Sequence, residues 1–144
     1  MREIKFRGYA VEEMINSQWI EDAFGVEDIE YTNGKISTYL LTPYGDYEVI
    51  KKSVGQYTGL KDKNGIDIYE GDIFKDYESR IKEVVWKDNG FKYKYKFVRS
   101  YMGEKYVETI YKELGNNTQD KRWGIEVIGN TYENPEVLEV KQWK

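Results

Sequence analysis

Polar and apolar residues alternate along most of this chain, and a two-residue period is the mark of strands with one covered face. In the opening stretch Ile4 and Phe6 face one way while Lys5 and Arg7 face the other, as a first strand requires. Residues 11–30, "VEEMINSQWIEDAFGVEDIE", admit a short helix, since Met14, Ile15 and Trp19 fall near helical spacing, or two strands about an acidic loop. The prevailing alternation favours the strands. "YTNGKI" predicts a hairpin in which Asn33 and Gly34 supply the positive φ angles of a type I′ turn. Residues 38–41 and 47–50 continue the alternation across a second turn, "TPYGD".

The stretch "GQYTGLKDKNGIDIYEGDIF" at 55–74 then changes direction several times. Asp62, Lys63, Asn64 and Gly65 read as a turn, residues 66–69 as a brief extended piece, and Glu70, Gly71 and Asp72 as a tight corner launching Ile73 and Phe74 into a strand. Gly59, following Thr58, requires a left-handed or closely packed backbone. The structural turn residues are therefore Gly34, Gly59, Gly65 and Gly71. "RIKEVVW", "GFKYKYKFV" and "YVETIYK" predict three strands of an antiparallel meander, separated by "KDNG" and "SYMGEK". "WGIEVIGN" is the last core strand, and Asn134 caps a single turn opened by Pro135.

The expected fold is all-β and antiparallel. One domain spans 1–144, with an N-terminal β part to about residue 55 packed on a barrel-like part from about 56 to 144. Fourteen tyrosines strengthen this reading, because tyrosine packs its ring on a pleated surface while its hydroxyl stays wet.

The residues that are missing narrow the chemistry. Without cysteine or histidine the chain has no disulfide, thiol nucleophile, Ser-His pair or imidazole metal ligand. "MREIKFRGYA" is charged from its second residue and lacks an apolar run, so neither a signal peptide nor a membrane span is expected, and the location expected is cytoplasmic. "NNT" at 116–118 matches a glycosylation acceptor, which carries no weight without secretion.

Three groups of residues invite a chemical reading. Asp62, Asp67, Glu70 and Asp72 are carboxylates on adjoining turns, but their spacing departs from that of a calcium loop, and Asp in a turn ordinarily bonds nearby amides. No metal site, cofactor or catalytic residue is assigned from them. The "YTGL" corner lacks the glycine spacing of a phosphate or dinucleotide loop and reads as a turn. In "FKYKYKFVR", Phe91, Tyr93, Tyr95 and Phe97 occupy one strand face and Lys92, Lys94 and Lys96 the other, with Arg99 following in the lysine register. Residues 80–112 hold nine basic and four acidic residues, net +5, which leaves −9 for the remainder of a chain of net −4. Such a stripe beside aromatics can hold single-stranded nucleic acid. The competing reading is that the aromatics fill the core and the lysines keep an edge strand soluble.

The chain also resembles the YopX-like proteins of bacteriophages and prophages. The resemblance rests on "IKFRG" at 4–8, "QYTGLKDKNGIDIYEGDIF" at 56–74 and "VIGNTYENPEVLE" at 127–139. It implies an all-β fold with barrel-like character and a phage-encoded accessory protein in the bacterial host, with no established activity. The function expected is therefore non-enzymatic: binding of a protein partner or of further copies of the chain, with no membrane involved. The alternative is single-stranded nucleic-acid binding through Lys92, Lys94 and Lys96. A carboxylate-dependent hydrolase, which needs no histidine, comes third.

Overall fold

A computed structural model of the chain describes residues 3–138; residues 1–2 and 139–144, which include the last residue of the third resemblance motif, lie outside it. The expected all-β, antiparallel class holds, and among the described residues the only helical pieces are two 3-10 turns, Lys51–Ser53 and Pro135–Leu138. Two compact units divide the chain, Met1–Gly59 and Leu60–Lys144, and the division falls inside a strand.

In the first unit, β1 (Phe6–Tyr9) pairs antiparallel with β2 (Trp19–Ala23) and with the start of β6 (Gly55–Lys61). A second sheet has the order β3 (Gly25–Glu30), β4 (Ile36–Thr42), β5 (Gly45–Val49). Ala10 joins the two sheets by a bridge to Val49, and the Val11 N–H donates to the Glu48 carbonyl at 3.0 Å. Ala23, Leu40 and Val49 form the core, flanked by Phe6, Ile20 and Val54. The close approach of β1 to β5 needs Gly8, where a Cβ would lie 3.1 Å from the Val49 side chain. The ambiguous segment resolves as strands β2 and β3 preceded by an irregular loop. Gln18 organises that loop: its Oε1 accepts the Met14 N–H at 2.9 Å, and its Nε2 donates to the Ala10 and Glu12 carbonyls at 2.9 and 2.7 Å. Those bonds take backbone groups that a helix needs for itself.

The hairpin between β3 and β4 forms where expected, but with a different turn. The Gly34 N–H donates to the Tyr31 carbonyl at 2.9 Å and the Tyr31 N–H to the Lys35 carbonyl at 2.8 Å. Gly34 has φ +85°, whereas Asn33 is not left-handed; its side chain accepts the Lys35 N–H at 3.0 Å. A longer loop with a single left-handed residue replaces the type I′ turn. The type I′ geometry occurs instead at Asp88 and Asn89, both left-handed, and at Met102 and Gly103.

The second unit holds β7 (Asp67–Tyr69), which pairs with β6, and a five-stranded antiparallel sheet. Its strands are β8 (Asp72–Lys75), β9 (Ile81–Lys87), β10 (Gly90–Tyr101), β11 (Glu104–Glu113) and β12 (Glu126–Asn130), in the order β11-β10-β9-β8-β12. The meander is therefore present, and β8 and β12 extend it. The sheet is open, with β11 and β12 at its ends, so barrel-like character is matched only loosely. Ile68, Phe74, Val84 and Ile125 make the core, with Leu60, Tyr93, Leu114 and Val127 against it. The Asn134 N–H donates to the Asn130 carbonyl, and its side-chain oxygen accepts the Asn130 N–H at 3.2 Å, so Asn134 secures the end of β12.

A candidate interaction surface on the long hairpin

The turns expected at 55–74 account for Asp62 and Asp72. Asp62 is 1% exposed: its Oδ1 accepts the Asn64 and Ile66 N–H groups at 2.8 and 2.9 Å, and its Oδ2 accepts the Val127 N–H at 3.0 Å. Asp72, equally buried, accepts the Tyr69 N–H at 2.8 Å, and Asp67 pairs with Lys61 at 2.5 Å. These carboxylates are engaged by amides and an ammonium. Among the described residues no three acidic side chains converge as a metal site would need. Gly59, Gly65 and Gly71 have φ of +87°, +80° and +92°. The Gly71 N–H donates to the Val84 carbonyl and its carbonyl accepts the Thr131 N–H, which fixes the corner between β9 and the residue after β12. The Thr118 hydroxyl of the "NNT" match is buried and donates to the Lys61 carbonyl at 2.8 Å.

The lysine and aromatic stripe lies on β10, the longest strand described. Asp88 and Asn89 turn β9 into β10, and Met102 and Gly103 turn β10 into β11. Residues 90–94 pair with β9, and residues 92–94 have β11 on the other side as well, so this part of β10 is not an edge. Residues 95–101 pair with β11 alone. The hairpin is thus a three-stranded sheet at its base and a two-stranded ribbon beyond.

Tyr93, Tyr95 and Phe97 stack along one face, with centroid spacings of 6.1 and 5.9 Å. At the base Tyr93 meets Phe74 edge to face, and Phe91 meets Trp86. Lys82, a buried lysine, lies over the rings of Tyr93 and Tyr95 at 4.5 and 5.1 Å and bonds to Asp76 at 2.9 Å. A desolvated ammonium is tolerable with a carboxylate on one side and ring faces on the other. Asp76 also accepts the Glu78 and Arg80 N–H groups, the arrangement seen at Asp62. Burial raises the Asp76 pKa, but the Arg80 amide, the Lys82 ammonium and the Glu78 amide outweigh it and hold the carboxyl below its usual range. Neither Asp76 nor Lys82 stands out in the sequence. The one available signal is "DYESR", an Asp followed by turn residues.

On the opposite face Lys92 pairs with Glu113 at 2.7 Å and Lys94 with Glu83 at 3.3 Å, while Lys96 is exposed. The basic excess read along the chain is therefore partly offset by carboxylates on the neighbouring strands. Arg99 does not follow the lysine register. It lies three positions beyond Lys96, an odd step, and β10 pairs with β11 without a bulge, so Arg99 falls on the aromatic face opposite Tyr106, over the Phe97 ring and bonded to Glu108. The lysines and the aromatic rings of β10 thus occupy opposite faces, and the lysine face carries Tyr111 of β11, which opposes Lys94. Toward the tip the aromatic face carries Tyr101, 69% exposed, and Tyr106, and the turn itself presents Met102, 87% exposed.

No helix among the described residues is long and apolar enough to cross a membrane. No curated protein matches the sequence. The fold is similar to the crystal structure of protein EF1440 from Enterococcus faecalis, with a TM-score of 0.51 and 23% identity over 96% of this chain and 100% of that one. Residues 5–139 match the family described as YopX protein, nearly the whole length, and the chain belongs to that family.

Proposed function

We propose that this protein is a phage- or prophage-encoded accessory factor in the cytoplasm of a bacterial host, and that it acts by binding a protein partner without chemistry of its own. The observation that supports the reading is the far half of the hairpin. A two-stranded ribbon is marginal in water unless something covers it, and this one ends in Tyr101, Met102, Tyr106 and Arg99. Tyr, Met and Arg are the types enriched where proteins meet. A binding role also agrees with buried turn carboxylates that accept amides. The pairing of Lys92 and Lys94 with carboxylates weighs against nucleic acid as the partner.

The test is co-purification from infected or lysogenic host cells using the full chain and two variants. Tyr101→Ser combined with Met102→Asn alters the ribbon tip, and Tyr44→Ser alters a still more exposed tyrosine elsewhere. A protein retained by the wild type and Tyr44→Ser but lost by the tip variant supports the proposal. Retention by all three, or retention of nucleic acid alone, overturns it.

A further inference from the structure

The edges of the sheets differ in how they are protected. Among the described strands β12 has five residues and a register shift between Val127 and Gly129, β7 has three residues, and β3 carries Glu27, Asp28 and Glu30 in six. Short, irregular or like-charged edges discourage the addition of another strand. β11 has none of these features. It is ten residues long, lacks proline, pairs residue for residue with β10 and ends the order of its sheet.

Parity decides which of its backbone groups are free of β10. The two-residue turn closes on the pair Tyr101 and Glu104, and the Leu114 N–H reaches the Phe91 carbonyl at 3.3 Å. The even-numbered residues of β11 therefore exchange hydrogen bonds with β10, and the amides and carbonyls of Lys105, Val107, Thr109, Tyr111 and Glu113 point away from the sheet. We propose that this edge pairs antiparallel with the same edge of a second copy, about a two-fold axis that passes between the two Thr109 residues.

The sequence selects that register. The axis of such a pair stands perpendicular to the sheet and keeps each face on its own side, so a residue can oppose only one of its own parity. Centring on residue 108 sets Glu108 against Glu108. Centring on residue 110 shortens the ladder to 107–113. Centring on Thr109 sets Lys105 against Glu113 twice, Val107 against Tyr111, and Tyr106 against Lys112, with no like charges opposed. Opposite charges and aromatic with β-branched pairs are the favourable cross-strand combinations. The contact is self-complementary and closed, so it removes the long edge without generating fibres. It lies beyond the protein-partner reading, which uses the aromatic face of the ribbon tip and not the backbone edge.

The experiment measures the mass of the full chain by sedimentation equilibrium, with far-UV circular dichroism as the control for folding. The wild type is expected at twice 17.1 kDa. Thr109→Pro removes an N–H that faces away from β10, so it is expected to run as a folded monomer. Lys105→Glu is expected to weaken association at least tenfold, and Lys105→Glu combined with Glu113→Lys and Lys92→Glu, which keeps the pair that residues 92 and 113 make within one chain, to restore it, a rescue that a merely structural role does not predict. A monomeric wild type, a dimeric Thr109→Pro, an assembly larger than a dimer, or Lys105→Glu as strongly associated as wild type overturns the proposal. If Thr109→Pro fails to fold, the charge reversal and its rescue decide the matter. Tyr101→Ser combined with Met102→Asn should leave the mass unchanged, so loss of the protein partner and loss of the dimer are separable.

Discussion

The two halves of β10 share one sequence pattern and have different surroundings. Residues 92–94 lie between two strands, and the Tyr93 ring rests on Phe74 and beneath Lys82, which reaches as far as Tyr95. Residues 95–101 continue the same alternation with one neighbouring strand. Alternation therefore says that a strand has two unlike faces, but the length of the neighbouring strand decides how well each part is held. β9 has seven residues and β10 twelve, and the ribbon begins where β9 ends its pairing.

The largest expected effect separates the halves directly. Tyr93→Ala should cost about 3 kcal/mol, as large-to-small changes at a core do, whereas Tyr101→Ala should change stability by less than about 0.5 kcal/mol. Urea unfolding measures both, and equal losses would show that the ribbon is as firmly held as the base. Asp76→Asn, which leaves the ammonium of Lys82 between rings without its counter-charge, should cost about 2 kcal/mol. Asp76 also sets a pH dependence. Its carboxyl has a lowered pKa, so its contribution is complete above the unfolded value near 3.8 and is lost as pH falls through the lower folded value. Acid titration of wild type and Asp76→Asn should thus converge below that pH, and parallel curves would remove Asp76 from the account.

Gly71→Val should cost about 1–2 kcal/mol, because φ of +92° suits no β-branched residue and the corner carries hydrogen bonds to Val84 and Thr131. An unchanged melting temperature would show that the corner relaxes freely. The smallest effect is expected from the joint replacement of Lys92, Lys94 and Lys96 by glutamine. If these lysines neutralised phosphates, the slope of log affinity for a single-stranded oligonucleotide against log salt would flatten by roughly 2. No change is expected, since two of the three already have carboxylate partners.

Much of the architecture was legible from the alternation, from the turn chemistry and from the motifs shared with the family. Turn type was less so. Asn33 with Gly34 and Asp88 with Asn89 both look like type I′ candidates, and only the length of the loop between paired strands tells them apart. The offset of Arg99 was countable from the chain, since an odd separation changes face. The setting of Lys82 was not countable, because it depends on β8, β9 and β10 meeting across sequence gaps that no local period encodes. Gln18 is a similar case: one amide supports a loop whose composition permits a helix.

Met102 stands at φ +49°, a conformation that asparagine or glycine adopts with less strain, and almost its whole side chain is in water. Its thioether is therefore open to mild peroxide, which would turn an apolar tip polar while the buried core a strand-length away stays chemically untouched. Graded oxidation of the folded protein would then act as a reversible dial on the ribbon tip, read by mass spectrometry and reset by a sulfoxide reductase.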